Sequence, residues 1–246
     1  MKFDAFRKVV SRIVDSDLLC KRVMPELLAG AITYSQYRQD LVLSSLCAGA
    51  LSSNDFIFID IGAHDGITFS NSYFLENNPH VRGFCIEANP VVFENLHRNR
   101  PNATCINVAI SDSNRESTFR LNSGHTEMLS GLIDSYSGKH LDRIEKESMN
   151  YGDSSELISV PTFTLESLCN KYQLSHVDLL LIDVEGAEYE VLRGINFAEC
   201  FIRFICVERN YSSTNIRQLL RAEGFVRLFQ VGSDDIYFNT RAQLHS

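Results

Sequence analysis

Hydrophobic residues occur in this chain as short, almost continuous runs, separated by segments whose apolar positions follow helical spacing. Runs rich in Ile, Val, Leu and Phe are typical of strands buried on both faces of a parallel sheet. They predict strands at residues 56–61, 82–88, 104–110, 177–184 and 201–208. The helical spacing predicts helices at about 36–50, 67–77, 90–99, 186–193 and 214–223. This alternation indicates an α/β fold with a mainly parallel sheet.

The last two strand patterns, "FVRLFQV" and "DIYFNT", are separated only by a Gly-Ser-Asp turn. Because so short a connection requires antiparallel strands, we expect a C-terminal hairpin at one edge of a seven-stranded sheet. Open sheets of this kind bind ligands beyond the carboxyl ends of their strands. The candidate site is therefore sought at those strand ends.

A polar segment interrupts the alternation between residues 111 and 160. Within it, "ESTFRL" and "ELISVPTF" predict an inserted antiparallel pair of strands. The Ser- and Gly-rich residues between them, about 122–156, are longer than an ordinary loop of a compact domain. We interpret this insertion as a mobile lid on the substrate side, with simple disorder as the alternative.

The first 31 residues carry apolar positions at helical spacing, which predicts an N-terminal helical extension over 1–33. This helix would either pack on the domain or dock elsewhere, on a membrane surface or in a homodimer. Its acids and bases are balanced, which favours packing because membrane-surface helices are usually clearly basic. Residues 34–246 are expected to form a single domain.

Composition narrows the class of partner. The chain has 246 residues, 44% of them hydrophobic, and a formal net charge of -8. That charge argues against nucleic-acid binding, which requires a basic face, and favours a small-molecule or saccharide partner. The short basic clusters at 20–23 and 98–100 are expected to be solvated surface.

Seven cysteines without a C-x-x-C motif predict reduced thiols in a cytoplasmic protein rather than disulfides or a zinc site. Acidic residues interrupt any N-terminal signal sequence. No apolar run approaches the roughly 18 residues of a membrane span, so no transmembrane segment is predicted. Peripheral association with the inner face of the membrane is the alternative to a purely cytoplasmic location.

Acidic residues end three of the predicted strands. Asp60 ends the first strand and is followed by Gly62 and Gly66, which we expect to let the backbone approach a ligand. Glu87 ends the second strand, at about the 20-residue spacing that places a carboxylate on ribose hydroxyls. Asp183 ends the fourth strand in "LLLIDVEGAE". Parallel strands would bring all of these acids to one crevice.

The spacing D-x-G-x-x-x-G differs from the G-x-G-x-x-G of dinucleotide enzymes, and acids at this turn would repel a pyrophosphate. S-adenosylmethionine suits the crevice better because it combines a ribose with a cationic sulfonium and has no phosphate. A nicotinamide-dependent oxidoreductase on a similar fold remains the alternative.

Several segments resemble, in order, the motifs of the FkbM-type family of S-adenosylmethionine-dependent methyltransferases. They are "YSQYRQDLVL", "FIDIGAHDGITFSNSYFLE", "GFCIEANPVVFENL", "NVAISD", "VPTFTLESLC", "VDLLLIDVEGAEYEVLRG" and "DDIYFN". The resemblance spans about residues 34–239. It implies a Rossmann-like class I methyltransferase fold and methyl transfer to a hydroxyl of a sugar, a polysaccharide precursor or another small molecule. A non-catalytic relative that binds the cofactor is a second alternative.

The resemblance also implies residue roles. The methionine end of the cofactor, its ribose and its adenine would be bound by Gln36, Asp60, Gly62, Ala63, His64, Gly66, Ser70, Asn71, Glu87, Ala88, Asn89, Asn107, Val108, Ala109 and Asp183. His64 departs from the family's pattern, in which asparagine is expected at this position. We interpret His64 as a packing variant, with a titratable group near the methyl as the alternative.

Methyl transfer to an alcohol is helped by a base within hydrogen-bond reach of the hydroxyl. The candidates are Asp183, Glu208, His64 and Glu185. Position at a strand end favours Asp183 or Glu208, and Glu185 would instead cap the helix that begins near Gly186. A divalent metal bound by Asp183, Glu208 and Asn210 is the alternative role for these oxygen ligands. We do not favour the metal because the sequence offers no firm third ligand.

Overall fold

The computed structural model describes residues 32–52, 55–210 and 213–244. The helix predicted within the first 31 residues, and any homodimer through it, lie outside these residues. The strands are β1 Phe56–Ile61, β2 Val81–Ile86, β3 Thr104–Ile106, β4 Ala109–Ile110, β5 Arg115–Asn122, β6 Gly131–Leu132, β7 Ser155–Phe163, β8 His176–Ile182, β9 Phe201–Glu208, β10 Phe225–Val231 and β11 Asp234–Asn239. The α-helices are α1 Gln39–Cys47, α2 Pro90–Asn99, α3 Gly138–Tyr151, α4 Leu165–Tyr172, α5 Glu188–Arg193 and α6 Ser213–Ala222.

The main sheet has seven strands in the order β10-β11-β9-β8-β1-β2-β3. The five strands from β9 to β3 are parallel, and β11 pairs antiparallel with both β9 and β10. This topology confirms the α/β, Rossmann-like fold with a C-terminal hairpin. The chain runs outward from β1 to β3 and then returns to β8, so the strand order reverses between β1 and β8. A ligand crevice is expected at that reversal.

Strand β1 is buried along its whole length, and its residues alternate between two hydrophobic clusters. Ile57, Ile59 and Ile61 belong to one cluster, together with residues of α4, α5 and α6. Phe56 and Phe58 belong to the other, together with residues of α1 and α2. The period of two is that of a strand, so the sheet is covered by helices on both faces.

Residues 67–77 form no α-helix, so the helix predicted there is wrong. They contain only a 3₁₀ turn at Tyr73–Leu75, and Phe69 has the positive φ of 54°. The reason is local: the Asp65 carboxylate accepts the backbone N–H groups of Ile67 and Thr68. The Ser70 hydroxyl accepts the backbone N–H groups of Ser72 and Tyr73, at the start of the 3₁₀ turn. Side-chain acceptors of this kind compete with helical hydrogen bonds.

The strand predicted at 104–110 is split in two. Residues Thr104–Ile106 pair with β2 in the main sheet, whereas Ala109–Ile110 pair with β7 in a second sheet. Between them, the Asn107 amide donates to the carbonyl oxygens of Glu87 and Ala88. The chain therefore changes sheets at Asn107.

The second sheet has four strands in the order β4-β7-β5-β6 and contains the predicted antiparallel pair, β5 and β7. The residues between that pair are not an extended loop, because they include the 14-residue helix α3. Ser137 caps the start of α3 by accepting the N–H of His140, and Gly152 ends it with a φ of 73°. The sequence pattern missed this helix because only His140 and Ile144 in it are buried.

Two further expectations concern charge and thiols. Arg100 is fully buried, so the expectation that residues 98–100 are solvated surface is wrong at this position. Six cysteines fall in the described ranges, and all are free thiols. Among the helices that the structure describes, none has the length and apolar character needed to cross a membrane.

Candidate functional site

A cavity of about 310 Å³ lies at the carboxyl ends of the parallel strands. The structure brings together most of the residues selected from the sequence. Those that line the cavity are Gln36, Asp60, Gly62, Ala63, His64, Ser70, Asn71, Glu87, Ala88, Asn89, Val108, Ala109, Asp183, Glu185 and Glu208. Three other selected residues, Gly66, Asn107 and Asn210, are not part of its lining.

Asp60 is positioned by a network beneath the turn that follows β1. Its carboxylate is buried and accepts a hydrogen bond of 2.5 Å from the Ser72 hydroxyl. The guanidinium of Arg100 donates to that hydroxyl, to the carbonyl oxygen of Gly66 and to the carboxylate of Glu76. Burial raises the pKa of Asp60, while the Ser72 hydrogen bond and Arg100 lower it. The network holds the turn and its carboxylate in one arrangement.

Protein contacts by themselves require glycine at both positions of this turn, a reason that the sequence did not show. A Cβ on Gly62 would lie 1.7 Å from the carbonyl oxygen of Asp183, and one on Gly66 would lie 2.6 Å from the Arg100 side chain. Both glycines also have positive φ, 84° and 80°. Gly62 nevertheless lines the cavity, whereas Gly66 packs behind it.

His64 has a φ of 49°, in the left-handed region that asparagine also tolerates. Its backbone N–H donates to Glu87, and its ring Nε2 lies 3.4 Å from the carboxylate of Glu127 in the insertion. The Nδ1 atom lies 3.7 Å from the Asp65 carboxylate. The side chain therefore bridges the turn after β1 and the inserted segment.

Glu87 is oriented by two backbone donors. One of its carboxylate oxygens accepts the N–H of His64 at 2.9 Å and the other accepts the N–H of Asn89 at 2.7 Å. Burial raises the pKa of Glu87, and these two hydrogen bonds oppose the shift. Each carboxylate oxygen can accept a second hydrogen bond, so Glu87 can still receive the two hydroxyls of a ribose. The Asn89 side chain in turn caps α2 by accepting the backbone N–H groups of Val91 and Val92.

An apolar slot adjoins Glu87. Ala88, Val108 and Ala109 line the cavity there, together with Phe119 and Leu132 from the second sheet. Ala109, Phe119 and Leu132 belong to one hydrophobic cluster, against which Ala88 packs. Sequence reasoning missed Phe119 and Leu132 because it assigned no ligand-facing role to the inserted strands. The slot has the apolar character that a planar base requires.

On the other side of β1, three carboxylates converge. Oxygen atoms of Asp183, Glu185 and Glu208 all lie within 4.8 Å of one another. Asp183 is exposed to the cavity, whereas Glu185 and Glu208 are half-buried. Desolvation within the cavity, and then the charge of Glu208, raise the pKa of Glu185 to about 8 and that of Asp183 above its ordinary value. Glu185 also has a positive φ of 54°, a strained conformation that is concentrated at functional sites. The cluster can therefore hold protons near neutral pH.

Glu188 and Asn210 support this cluster from behind. Glu188 is fully buried and accepts hydrogen bonds from the Gly186 N–H at 2.9 Å and from the Asn210 amide at 3.0 Å. Asn210 also donates to Glu208. Burial raises the pKa of Glu188 to about 7. The sequence suggested Asp183, Glu208 and Asn210 as the ligands of a metal. In the structure the residue that joins Asp183 and Glu208 is Glu185, whereas Asn210 does not line the cavity.

Two lining residues, Gln39 and Asp234, were not selected from the sequence. Asp234 begins β11 and is buried, and it accepts hydrogen bonds from Gln39 at 2.8 Å and Asn71 at 3.3 Å. Burial raises the pKa of Asp234 to about 6. The sequence could have indicated both residues, because they lie in segments that resemble the family motifs. Gln39 is the second glutamine of "YSQYRQD", and Asp234 is the first residue of "DDIYFN".

The insertion forms a further wall of the cavity. Its lining residues include Glu127, Met128, Arg143 and Glu147. Arg143 and Glu147 form an ion pair of 2.9 Å on successive turns of α3. From the same helix, the buried His140 places its Nδ1 atom 4.0 Å from the carboxylate of Glu185. The insertion therefore contacts the acidic cluster directly.

The chain is similar in sequence to a named methyltransferase. The 2-O-methyltransferase NoeI of Sinorhizobium fredii is 30% identical over 165 residues, which make up 64% of this chain and 65% of that protein. The chain thus spans less than two thirds of that relative's length.

Solved structures are more distant in sequence. Methyltransferase FkbM from Methylobacillus flagellatus superposes with a TM-score of 0.44 at 12% identity, covering 76% of this chain and 44% of that one. Fibrillarin of Aeropyrum pernix, solved with S-adenosyl-L-methionine, gives 0.39 at 16% identity, covering 83% and 75%. The sequence profile of the Methyltransferase FkbM domain matches residues 60–227, from the acid that ends β1 to the start of the C-terminal hairpin. Since this match covers more than half of the chain, the chain belongs to the FkbM methyltransferase family.

Proposed function

We propose that this protein uses S-adenosylmethionine to methylate a hydroxyl oxygen, and that a sugar or polysaccharide precursor is its foremost acceptor. The observation that carries the cofactor assignment is Glu87, a carboxylate oriented by two backbone N–H groups beside an apolar slot. Family membership and the similarity to a 2-O-methyltransferase support the reaction class.

The residues present fit this cofactor. Glu87 would accept the ribose hydroxyls, and Val108 and Ala109 would contact the adenine in the apolar slot. Asp60, Gly62 and Ala63 would line the methionine end. When bound, S-adenosylmethionine supplies a methyl group on a positively charged sulfur. Carboxylates favour a cation and disfavour a pyrophosphate, so the acidic lining suits this cofactor better than a dinucleotide.

The acidic cluster would supply the base. An alcohol becomes a good nucleophile as its proton leaves, and a base whose pKa lies near the working pH is the most effective. Glu185, with a pKa of about 8, is our first choice to accept that proton. Asp183 and Glu208 lie within 4.8 Å of it and would share the proton as a coupled group.

The divalent cation considered from the sequence would now be bound by Asp183, Glu185 and Glu208, whose carboxylates are suitable oxygen ligands. Its role remains secondary in this proposal. We also propose that the protein acts in the cytoplasm on small molecules rather than on nucleic acid. The net charge of -8 and the free thiols support this location and partner class.

Calorimetric titration of S-adenosylhomocysteine into the wild type and the Glu87→Gln variant tests the cofactor assignment. One carboxamide oxygen cannot replace two carboxylate oxygens, so we expect the dissociation constant to rise about 10- to 100-fold. The exposed Glu94 on α2 provides the matched control, Glu94→Gln, which should bind as the wild type does.

The same protein is titrated with NADH. Binding of NADH without binding of S-adenosylhomocysteine would make the protein an oxidoreductase. Methyl transfer itself is measured with labelled S-adenosylmethionine and sugar acceptors. Cofactor binding without turnover on a broad acceptor panel would identify a non-catalytic relative.

A further inference from the structure

Phe69 has a backbone conformation that a bulky side chain rarely adopts. Its φ is 54°, a strained conformation that persists only where the surrounding structure holds it. Here the Asp65 carboxylate holds the N–H and hydroxyl of Thr68, and Phe69 forms an isolated β-bridge with Ser35. The surroundings thus hold Phe69 in a strained position.

That position leaves the aromatic ring accessible within the cavity. Phe69 lines the cavity, yet its relative exposure is 52%. Phenylalanine is among the residues most often buried, so a half-exposed ring at a cavity is an unusual placement. A strained backbone that exposes an aromatic ring to a cavity is the arrangement expected of a ligand contact.

The neighbours of Phe69 show which half of the cavity it faces. Asn71, two residues later, donates to Asp234 at the start of β11. Strand β11 lies beyond β9 on one side of β1, whereas Glu87 and Val108 follow β2 and β3 on the other side. Phe69 lines the cavity, and the nearby Asn71 contacts β11, so we assign Phe69 to the β11 side of the cavity, away from the ribose and adenine sites.

The charged side chains that line the cavity limit which acceptor molecules can bind. Eight carboxylate residues line the cavity: Asp60, Glu87, Glu127, Glu147, Asp183, Glu185, Glu208 and Asp234. Among the described lining residues, Arg143 is the only lysine or arginine, and it is paired with Glu147. Even when the acidic cluster holds protons, the remaining lining carboxylates outnumber the one positive charge, so a phosphate or carboxylate on the acceptor would be repelled, whereas hydroxyl groups can donate hydrogen bonds to the carboxylates.

We propose that Phe69 is a specificity-determining residue, against which an uncharged, hydroxyl-bearing ring of the acceptor stacks. The C–H face of a sugar ring is apolar and slightly positive, and it complements the negative face of the aromatic ring. The hydroxyls around the same ring face the carboxylates, and one of them lies towards the acidic cluster. This inference rests on the proposed function and narrows its acceptor to neutral sugar rings.

The test measures acceptor binding to protein saturated with S-adenosylhomocysteine, by saturation-transfer NMR. The probes are the methyl glycosides of glucose, galactose, mannose and fucose, with glucuronic acid and glucose 1-phosphate as anionic counterparts. We expect at least one neutral glycoside to bind more tightly than both anionic sugars. Phe69→Ala is expected to weaken that binding about tenfold, and Phe69→Tyr to retain it.

Phe69→Gly separates binding from folding, because glycine adopts a φ of 54° without strain and the variant should fold at least as stably as the wild type. It should nevertheless lose glycoside binding as Phe69→Ala does. Phe163, which is 39% exposed and does not line the cavity, gives the matched control Phe163→Ala. That control should leave glycoside binding unchanged.

Three results would overturn the inference: tighter binding of the anionic sugars, absence of neutral glycoside binding, or unchanged glycoside binding in Phe69→Ala and Phe69→Gly. An equal loss of S-adenosylhomocysteine affinity in both variants would also overturn it, because Phe69 would then belong to the cofactor site. Failure of the wild type to bind S-adenosylhomocysteine is a separate outcome, which contradicts the proposed function itself.

Discussion

The carbonyl oxygen of Asp183 occupies the space that a Cβ atom on Gly62 would need, 1.7 Å from its ideal position. The same two strand ends are joined by a hydrogen bond from the Asp183 N–H to the carbonyl of Ile61. Gly62 also donates its N–H to Ile86 at the end of β2. Three neighbouring strands of the parallel sheet therefore meet at Gly62, directly beside the acidic cluster.

Gly62→Ala should destabilise the protein by about 2–5 kcal/mol, because a clash with the backbone of Asp183 adds to the strain of a positive φ. Gly152→Ala is the matched control: its φ is also positive, at 73°, but no atom lies within 4 Å of the added Cβ. The control should lose only about 1 kcal/mol. Urea unfolding measures both, and equal losses would contradict the role of the Asp183 contact.

Arg100 should be essential to the turn after β1. Its fully buried guanidinium forms an ion pair of 2.5 Å with Glu76, so Arg100→Met leaves a buried carboxylate uncompensated. We expect a loss of about 3–5 kcal/mol in the free energy of unfolding. Adding Glu76→Gln should recover part of it. The exposed Arg98 gives the control Arg98→Met, which should lose less than about 1 kcal/mol in the same unfolding experiment.

The mainly parallel sheet was predicted from the sequence because most of its strands are near-continuous apolar runs, whereas the order of the strands was not predicted. Strand β1 is buried along all of Phe56–Ile61, and the periodic helix at 90–99 was predicted with its correct bounds. The apolar run of a strand and the periodicity of a helix both reflect which side chains are buried. The Ser-rich turn at 67–77 failed because its conformation depends on hydrogen bonds to Asp65 and Ser70, which periodicity does not detect.

The site was predicted where acids end strands, since the carboxyl ends of parallel strands share one edge. The residues that were missed reach the cavity from elsewhere: Phe119 and Leu132 from the second sheet, and Gln39 from α1. The protein contacts of the glycines could not be predicted for a related reason. At Gly62 and Gly66 the close neighbours are distant in sequence, and only the folded chain brings them into contact.

His64 should be replaceable by asparagine but not by valine. Asparagine tolerates a φ of 49°, whereas a β-branched side chain is strained there. We expect His64→Asn to change stability by less than about 1 kcal/mol and His64→Val to lose about 2 kcal/mol. Thermal unfolding of both variants measures this difference. A large loss of stability in His64→Asn would instead assign the main role to the contact between the ring and Glu127.

Stability should fall as the pH rises from about 5 to 8, because the folded protein holds protons on buried acids. Glu188 is the clearest case: it is fully buried, and its pKa is raised from 4.5 to about 7. A raised folded-state pKa means that the protonated form favours folding. This contribution is complete below pH 4.5 and is lost as the pH approaches 7. Since one pH unit corresponds to about 1.4 kcal/mol, the loss is roughly 3 kcal/mol.

Glu188→Gln reproduces the protonated side chain at every pH and should therefore flatten this dependence. The variant should match the wild type near pH 5 and be more stable by up to roughly 3 kcal/mol at pH 8. Urea unfolding across that range measures the difference, with Glu199→Gln on the exposed surface as the control that keeps the wild-type slope. A variant that retained the full pH dependence would show that other acids of the cluster, and not Glu188, hold the protons.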